Sequence, residues 1–247
     1  MTRKVFVLAT VLCAGLAAGC GGGDGGAGLA DDTALEITSD QLAQMVLALE
    51  QFGPEYGGFT PESDNGLVTL DAAAEDDFDE VQERSDLQNS RWASGFEVYY
   101  SGESGGVSFA GSNVQLFADA EGAEAYFKDS EAELTEDLGR TVDGVTMTKI
   151  EFADVDIAGA HEAMSGWFEA SVQREDGSTE VFWATGTVFR RGRLLGAVAM
   201  FAQGIDDLEE KRLQGKVESL APAMNERIGS VLSASAPIPA PDAAAGQ

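Results

Sequence analysis

The sequence predicts an α+β fold in which an antiparallel sheet of about five or six strands carries helices on one face. Strand-like runs follow one another in the second half of the folded part, at residues 145–152, 164–173, 181–189 and 194–201. Tight-turn residues separate the last three runs, Asp176-Gly177 in one place and Arg190-Arg191-Gly192 in the other. Strands that follow strands are typical of α+β proteins, whereas regular alternation with helices is typical of doubly wound sheets.

The first half of the folded part combines short helices with strands. Thr38-Ser39-Asp40-Gln41 has the spacing of a helix capping box, and Leu42, Met45, Val46 and Leu49 follow at helical spacing. This pattern predicts a short amphipathic helix. The elements predicted next are a brief strand at 66–70, a surface helix at 71–90, and strands at 96–100 and 107–117.

Two longer helices flank the consecutive strands. The first is predicted from residue 118 to Gly139, because Ala120, Ala123 and Phe127 keep helical spacing and glycine is a common helix stop. The last is predicted from 206 to about 228. Its apolar stripe is Leu213, Val217, Leu220, Met224 and Ile228.

The run 164–173 shows the alternation of a sheet with one covered face, which is why we expect helices on one face only. The side chains predicted to face one way are Met164, Phe168, Ala170 and Val172, and those predicted to face the other way are Trp167, Glu169 and Ser171. Helix and strand groupings recur in each half of the body, which leaves open a division into two subdomains.

The N-terminus is a short basic and then apolar segment. Arg3 and Lys4 precede an uncharged run, residues 5–18, that is shorter than the about 20 residues that span a bilayer. It has the size of a secretory signal core. The segment ends in Ala17-Ala18-Gly19-Cys20, which resembles the lipobox of bacterial lipoproteins. An ordinary signal peptide or a membrane anchor with an incidental cysteine is the alternative.

The lipobox resemblance implies a lipid anchor. It implies cleavage after Gly19, a diacylglyceryl group on the Cys20 thiol, and acylation of the new N-terminus, for example with palmitate. The lipid bilayer is then a partner through the acyl chains on Cys20. The expected location is the extracytoplasmic side of a membrane, which is the outer membrane if the cell has one.

The chain divides into four predicted parts. Residues 1–19 are the signal peptide, and residues 20–32 are the lipidated cysteine with a glycine-rich tether that behaves as a flexible coil. Residues 33–232 form the α+β extracytoplasmic domain. Residues 233–247, rich in alanine, proline and serine, are predicted to be a disordered tail.

Composition restricts the chemistry of the folded part. The chain has two cysteines; Cys13 leaves with the signal and Cys20 carries lipid, so no disulfide, zinc thiolate or cysteine nucleophile is expected. The formal net charge of −28 repels phosphate backbones, so we expect no nucleic-acid partner. A soluble acidic surface explains this charge, and an acidic face that attracts cations or a basic partner is the sharper hypothesis.

The motifs that could indicate an enzyme lack the structural context or the spacing that catalysis requires. Gly102-Glu103-Ser104-Gly105-Gly106 matches G-x-S-x-G, but a nucleophile elbow leads from a strand into a helix, and here a strand follows. His161 is the only histidine, and it lacks a serine or cysteine partner. The acidic groups, which do not have the spacing of a calcium loop, are Asp76, Asp77, Asp79 and Glu80, together with Asp154 and Asp156. We therefore expect no catalytic residue, metal or cofactor.

Two features remain as recognition signals. The aromatic residues that could line a groove for a sugar or peptide are Trp92, Tyr99, Tyr100, Trp167 and Trp183. Arg190, Arg191 and Arg193 form a basic cluster on an acidic body. A charged hairpin tip explains this cluster, and docking to an anionic ligand or wall polymer is the alternative.

The body resembles uncharacterised lipoprotein ectodomains of Gram-positive and related bacteria, over residues 113–228. Phe117, Asp119, Ala120 and Ala123 match their helix start after a strand, and residues 189–201 match their late hairpin. The resemblance implies a small sensor or binding module with no catalytic residues. We therefore expect a non-enzymatic domain that binds an unknown ligand or envelope protein. The alternatives are an envelope hydrolase that acts through carboxylates and an accessory subunit of an envelope complex.

Overall fold

A computed structural model describes residues 36–75, 80–136, 138–142, 145–173 and 177–235. The predicted signal, lipidation site and tether lie outside the described residues. The predicted tail does so from residue 236 onward.

Six helices and nine strands form the described part of the chain. The helices are α1 (Ser39–Met45), α2 (Leu49–Phe52), α3 (Leu70–Glu75), α4 (Glu80–Asn89), α5 (Ala120–Glu136) and α6 (Asp207–Ser235), with a 3-10 turn at Pro54–Tyr56. The strands are β1 (Thr60–Pro61), β2 (Gly66–Val68), β3 (Trp92–Ser104), β4 (Val107–Phe117), β5 (Thr141–Val142), β6 (Val145–Asp154), β7 (Glu162–Gln173), β8 (Thr179–Arg191) and β9 (Leu194–Gln203).

All nine strands join one antiparallel sheet, which confirms the predicted α+β class. The order across the sheet is β1-β3-β4-β9-β8-β7-β6-β5, and β2 pairs with β3. Six long strands agree with the predicted number. The brief strand predicted at 66–70 is β2, which covers Gly66–Val68. Strands β1 and β5 were not predicted, because two residues each are too few to show an alternating pattern in the sequence.

Helices cover both faces of the sheet, so the prediction of helices on one face only is wrong. One core lies on the face that carries Phe109, Phe168 and Phe201, and α5 packs there; we call it the α5 face. The other lies on the face that carries Phe189 and Val198, and α1 and α6 pack there; we call it the α6 face. Strand β9 is apolar on both sides, because consecutive residues from Leu194 to Ala202 are buried.

The local signals for helices are mostly confirmed. Thr38 caps α1: its N–H donates to Gln41 Oε1 at 2.7 Å, and its Oγ1 accepts from the Gln41 N–H at 3.3 Å. The predicted apolar stripe of α6 is buried from Leu213 to Ile228. This helix ends at Ser235, so the first residues of the predicted tail are helical. The predicted helix 71–90 is two helices, α3 and α4, and residues 76–79 lie outside the described residues.

Candidate functional site

A small cleft opens on the α6 face, between helix α6 and the outer strands β6 and β7. Helix α6 packs mainly over β8 and β9, so it leaves the outer part of this face uncovered beside it. The volume of the cleft is about 150 Å³. A cavity of that order holds one benzene-sized ring. Its lining residues are Glu151, Phe152, Ala153, Ser165, Gly166, Trp167, Gln214 and Glu218.

Sheet register and helical periodicity bring these residues together. Strands β6 and β7 pair so that Glu151 lies opposite Trp167 and Ala153 lies opposite Ser165. Gln214 and Glu218 are four residues apart on α6, so they share one side of the helix. The cleft therefore has a sheet floor and a helical wall.

Trp167 is the central side chain of the cleft. It is 8% exposed, and its Nε1–H donates to Glu151 Oε2 at 3.1 Å. The ammonium of Lys149 lies 4.1 Å from the centre of the Trp167 ring and 3.0 Å from Glu151 Oε1. The Trp183 ring packs at 5.4 Å between centroids, with 35° between the ring planes. Trp167 is thus held in a fixed orientation by a carboxylate, a cation and a second ring.

The two acids with displaced pKa values near this cleft are displaced in opposite directions. The hydrogen bond from Lys149 lowers the pKa of Glu151, and the one from Trp167 lowers it further. Burial raises the pKa of Glu210, one turn before Gln214, and the charges of Asp207 and Glu151 add to this increase. Glu151 is therefore held as an anion, which suits an acceptor and an ion-pair partner rather than a proton donor.

Small hydroxyl side chains lie in the part of the sheet that forms the floor of the cleft. Ser165 Oγ is 3.0 Å from Thr187 Oγ1, and the Thr185 hydroxyl donates to the Gly166 carbonyl at 3.2 Å. All three residues are buried. Their hydrogen bonds within the sheet satisfy them, and their small size leaves room beside the Trp167 ring.

The predicted aromatic groove is divided between the two faces of the sheet. Trp167 and Trp183 lie together on the α6 face, whereas Trp92 and Tyr99 lie in the core of the α5 face. Tyr99 stacks on Phe109 at 5.1 Å. Tyr100 packs against the core of the α6 face, beside Phe52. The five predicted residues therefore do not line one groove, because successive side chains of a strand alternate between the faces and the register of each strand decides which face each residue reaches.

The arginine cluster is also divided, and its members make contacts within the protein. The Arg190 side chain is 9% exposed and donates from Nε to Glu162 at 2.6 Å. Arg191 lies on the other face, where its guanidinium donates to Asn225 Oδ1 at 3.3 Å. The prediction of a charged hairpin tip is wrong for Arg190, because this side chain is a buried ion-pair partner.

The remaining sequence candidates occupy turns and strand ends. His161 is exposed, and its Nδ1 accepts from the Gly192 N–H at 3.1 Å. The G-x-S-x-G segment ends β3 and turns directly into β4, with Gly105 and Gly106 at φ 56° and 81°. The strand predicted to follow this segment is confirmed, whereas a nucleophile elbow leads from a strand into a helix.

Two general features of the described residues bear on the candidate chemistry. They contain no group of three or more His, Cys, Asp and Glu side chains placed to hold a metal ion; Asp76, Asp77 and Asp79 lie outside them. In the same part of the chain, every helix is too short or too polar to cross a membrane.

Sequence reasoning identified Trp167 but missed the residues around it. Lys149 and Glu151 lie two apart on one strand and therefore face the same side, a signal visible in the sequence. Gln214 and Glu218 lie on a helix far along the chain, and no local pattern relates them to Trp167.

Comparisons with known proteins identify no family and show a distant likeness to solved structures. No protein family model matches the chain, and no curated protein matches it. The extracellular domain of PknH from Mycobacterium tuberculosis is similar at a TM-score of 0.44 and 11% identity, covering 77% of this chain and 97% of that one. A protein of unknown function from Pseudomonas aeruginosa, PA94, a putative regulator, is similar at a TM-score of 0.26 and 17% identity, covering 60% and 82%. Neither likeness is close enough to carry a functional conclusion.

Proposed function

We propose that this chain is an extracytoplasmic lipoprotein, anchored through Cys20, whose α+β domain binds a small ligand in the Trp167 cleft without catalysis. The observation that carries the binding role is the position of Trp167, a nearly buried ring that lines an open cleft beside an ionised carboxylate. A ring face supplies contact area with little loss of side-chain freedom, and the carboxylate supplies orientation.

The lining side chains suit a ligand with one small ring or alkyl group and several polar atoms. Glu151 and Glu218 offer carboxylate acceptors, and Gln214 offers both a donor and an acceptor. The volume of about 150 Å³ is below the range of about 300–1,000 Å³ that is typical of pockets for drug-sized ligands. The cleft therefore fits a small molecule, or one end of a larger one.

The alternative of a hydrolase acting through carboxylates has one observation in its favour, because Glu151 and Glu218 both line the cleft. Such a reaction needs one carboxyl group that keeps its proton near neutral pH. The pKa of Glu151 is displaced downward, so Glu151 suits the ionised member of such a pair and does not supply the proton donor.

Anchoring is tested by the variant Cys20→Ser. Metabolic labelling with palmitate should mark the wild-type chain and not the variant, and the variant should leave the membrane fraction. Mass spectrometry of the native N-terminus provides an independent measurement. An unmodified Met1, or an unmodified thiol at Cys20, would refute lipidation.

Binding in the cleft is tested with protein in which the three tryptophans are replaced by fluorotryptophan. Fluorine NMR spectra are recorded with a panel of small sugars, amino acids and amines, and Trp167→Phe and Trp92→Phe identify the signals. We expect at least one compound to shift the Trp167 signal and leave the Trp92 signal in place, because Trp92 lies on the opposite face. A panel that never moves the Trp167 signal would refute the cleft as the binding site.

A further inference from the structure

We propose that the Trp167 ring and the Glu151 carboxylate, which both line the cleft, recognise an organic ammonium group, and that this ligand displaces the Lys149 ammonium from them. This inference rests on the proposed binding role of the cleft and specifies the chemical class of the ligand.

The position of Lys149 shows which chemistry the site already accepts. Its ammonium contacts the face of Trp167 at 4.1 Å and a carboxylate oxygen of Glu151 at 3.0 Å. A ring face together with an anion is the combination that binds ligand ammonium groups, including quaternary ones. The protein thus holds one of its own cations in the geometry that a ligand cation requires.

Lys149 is able to leave this position. Its side chain is 49% exposed, and the two-residue strand β5 on the outer side of β6 pairs with Val145 and Thr146 and not with Lys149. A lysine side chain has four rotatable carbon–carbon bonds, so it reaches solvent without a change in the backbone. Trp167 and Glu151 hold each other through their own hydrogen bond, so part of the site stays in place when the lysine leaves.

The charge around the cleft favours a cationic replacement. Glu151 and Glu218 line the cleft, and Glu210 lies close enough to Lys149 and Glu151 for their charges to act on it. When Lys149 moves into solvent, these acids face the cleft without that cation. The whole chain carries a formal net charge of −28, which attracts cations and repels anions over a longer range.

The decisive variant is Lys149→Met, which removes the tethered ammonium and keeps a flexible apolar side chain. Choline is the probe, and its uncharged isostere, with carbon in place of the quaternary nitrogen, is the ligand control. Dissociation constants for the purified full-length protein are measured by isothermal titration. Removal of the internal competitor should tighten choline binding by about two- to fivefold, the scale of an exposed cation–π contact, and should leave the isostere weak.

Lys128→Met is the matched protein control. The Lys128 side chain is also 49% exposed and also pairs with a glutamate, which is Glu124, four residues earlier on α5. Choline affinity should not change in this variant. Since Lys149 and Lys128 are both exposed, neither replacement is expected to prevent folding, and circular dichroism verifies this.

Each remaining outcome separates the inference from the proposed function. If Lys149→Met tightens choline and isostere equally, the ammonium inference is overturned and the cleft remains a binding site. Choline affinity that is unchanged, or undetectable in both proteins, also overturns the inference. The binding role itself then depends on the fluorotryptophan panel, which includes sugars and amino acids as well as amines.

Discussion

Strands β6 and β7 have two faces that differ in what covers them. On the α5 face their side chains are buried and apolar, as Met147, Phe168 and Ala170 show. On the α6 face the same strands present Lys149, Glu151 and Trp167, and the two charged residues are exposed. The difference follows from helix α6, which packs mainly on β8 and β9 and leaves the outer strands open.

The comparison indicates that the α5 face of these strands stabilises the fold, whereas the open part of their α6 face is available for binding. The α5 face contributes apolar burial, the main favourable term in folding. The open part of the α6 face contributes little of that kind, so its charged side chains can be selected for what they bind. Substitutions on the two faces of one strand should therefore have different consequences.

The largest expected effect is that of Phe168→Ala on the α5 face. Phe168 is 1% exposed and packs against Phe201 at 6.4 Å between ring centroids. The variant should lower the free energy of unfolding by about 3–5 kcal/mol, measured by urea denaturation, because it leaves a cavity in the core. The control is its neighbour on the opposite face, Glu169→Ala, which should cost about 1 kcal/mol or less. Equal losses for the two variants would contradict the division between the faces.

A smaller effect is expected for Gly111→Ala, which adds a methyl group to the α5 face of β4. Its Cβ would lie 2.0 Å from Tyr99 Cδ1 and 2.8 Å from the Val98 carbonyl oxygen. Since the backbone cannot move away freely, we expect a loss of about 2 kcal/mol in the same denaturation experiment. Gly58→Ala is the control, because nothing lies within 4 Å of its added Cβ. A variant as stable as wild type would mean that this face is loosely packed.

The sequence predicted the features that depend on neighbouring residues. Apolar runs bounded by turn residues predicted the six long strands, and the spacing of Thr38 and Gln41 predicted the cap of α1, because both signals are local. The second covered face was missed, although the unbroken apolar run 194–202 is typical of a strand buried on both sides.

The cleft was predicted only in part, for a different reason. Trp167 was identified by its residue type alone. Its neighbours depend on strand register, which places Glu151 opposite it, and on the docking of α6, which brings Gln214 and Glu218 to it. Tertiary packing decides both, and no window of the sequence contains that information.

The smallest expected effect concerns the ionisation of Glu151 on the open face. The hydrogen bond from Lys149 lowers the pKa of this carboxyl, and the hydrogen bond from Trp167 contributes in the same direction. A folded-state pKa below the unfolded one stabilises the protein above the unfolded pKa, and this contribution is lost as the pH falls through the folded pKa. Because Lys149→Met removes the main cause of the lowered pKa, it should raise the pKa of Glu151. The hydrogen bond from Trp167 remains, so this pKa should stay below its ordinary value. Carboxyl-carbon NMR titration measures this shift.

Lys128→Met provides a matched control for this titration, because Lys128 pairs with Glu124 on the other face of the sheet. Lys128 is the main cause of the lowered pKa of Glu124, so this variant should raise the pKa of Glu124 and leave that of Glu151 unchanged. Lys149→Met should instead raise the pKa of Glu151 and leave that of Glu124 unchanged. If Glu151 titrates identically in wild type and Lys149→Met, then Lys149 does not contact Glu151 in solution. The Lys149 ammonium would then not be held at Glu151 and the Trp167 ring, and the proposal of a displaced cation would lose its structural basis.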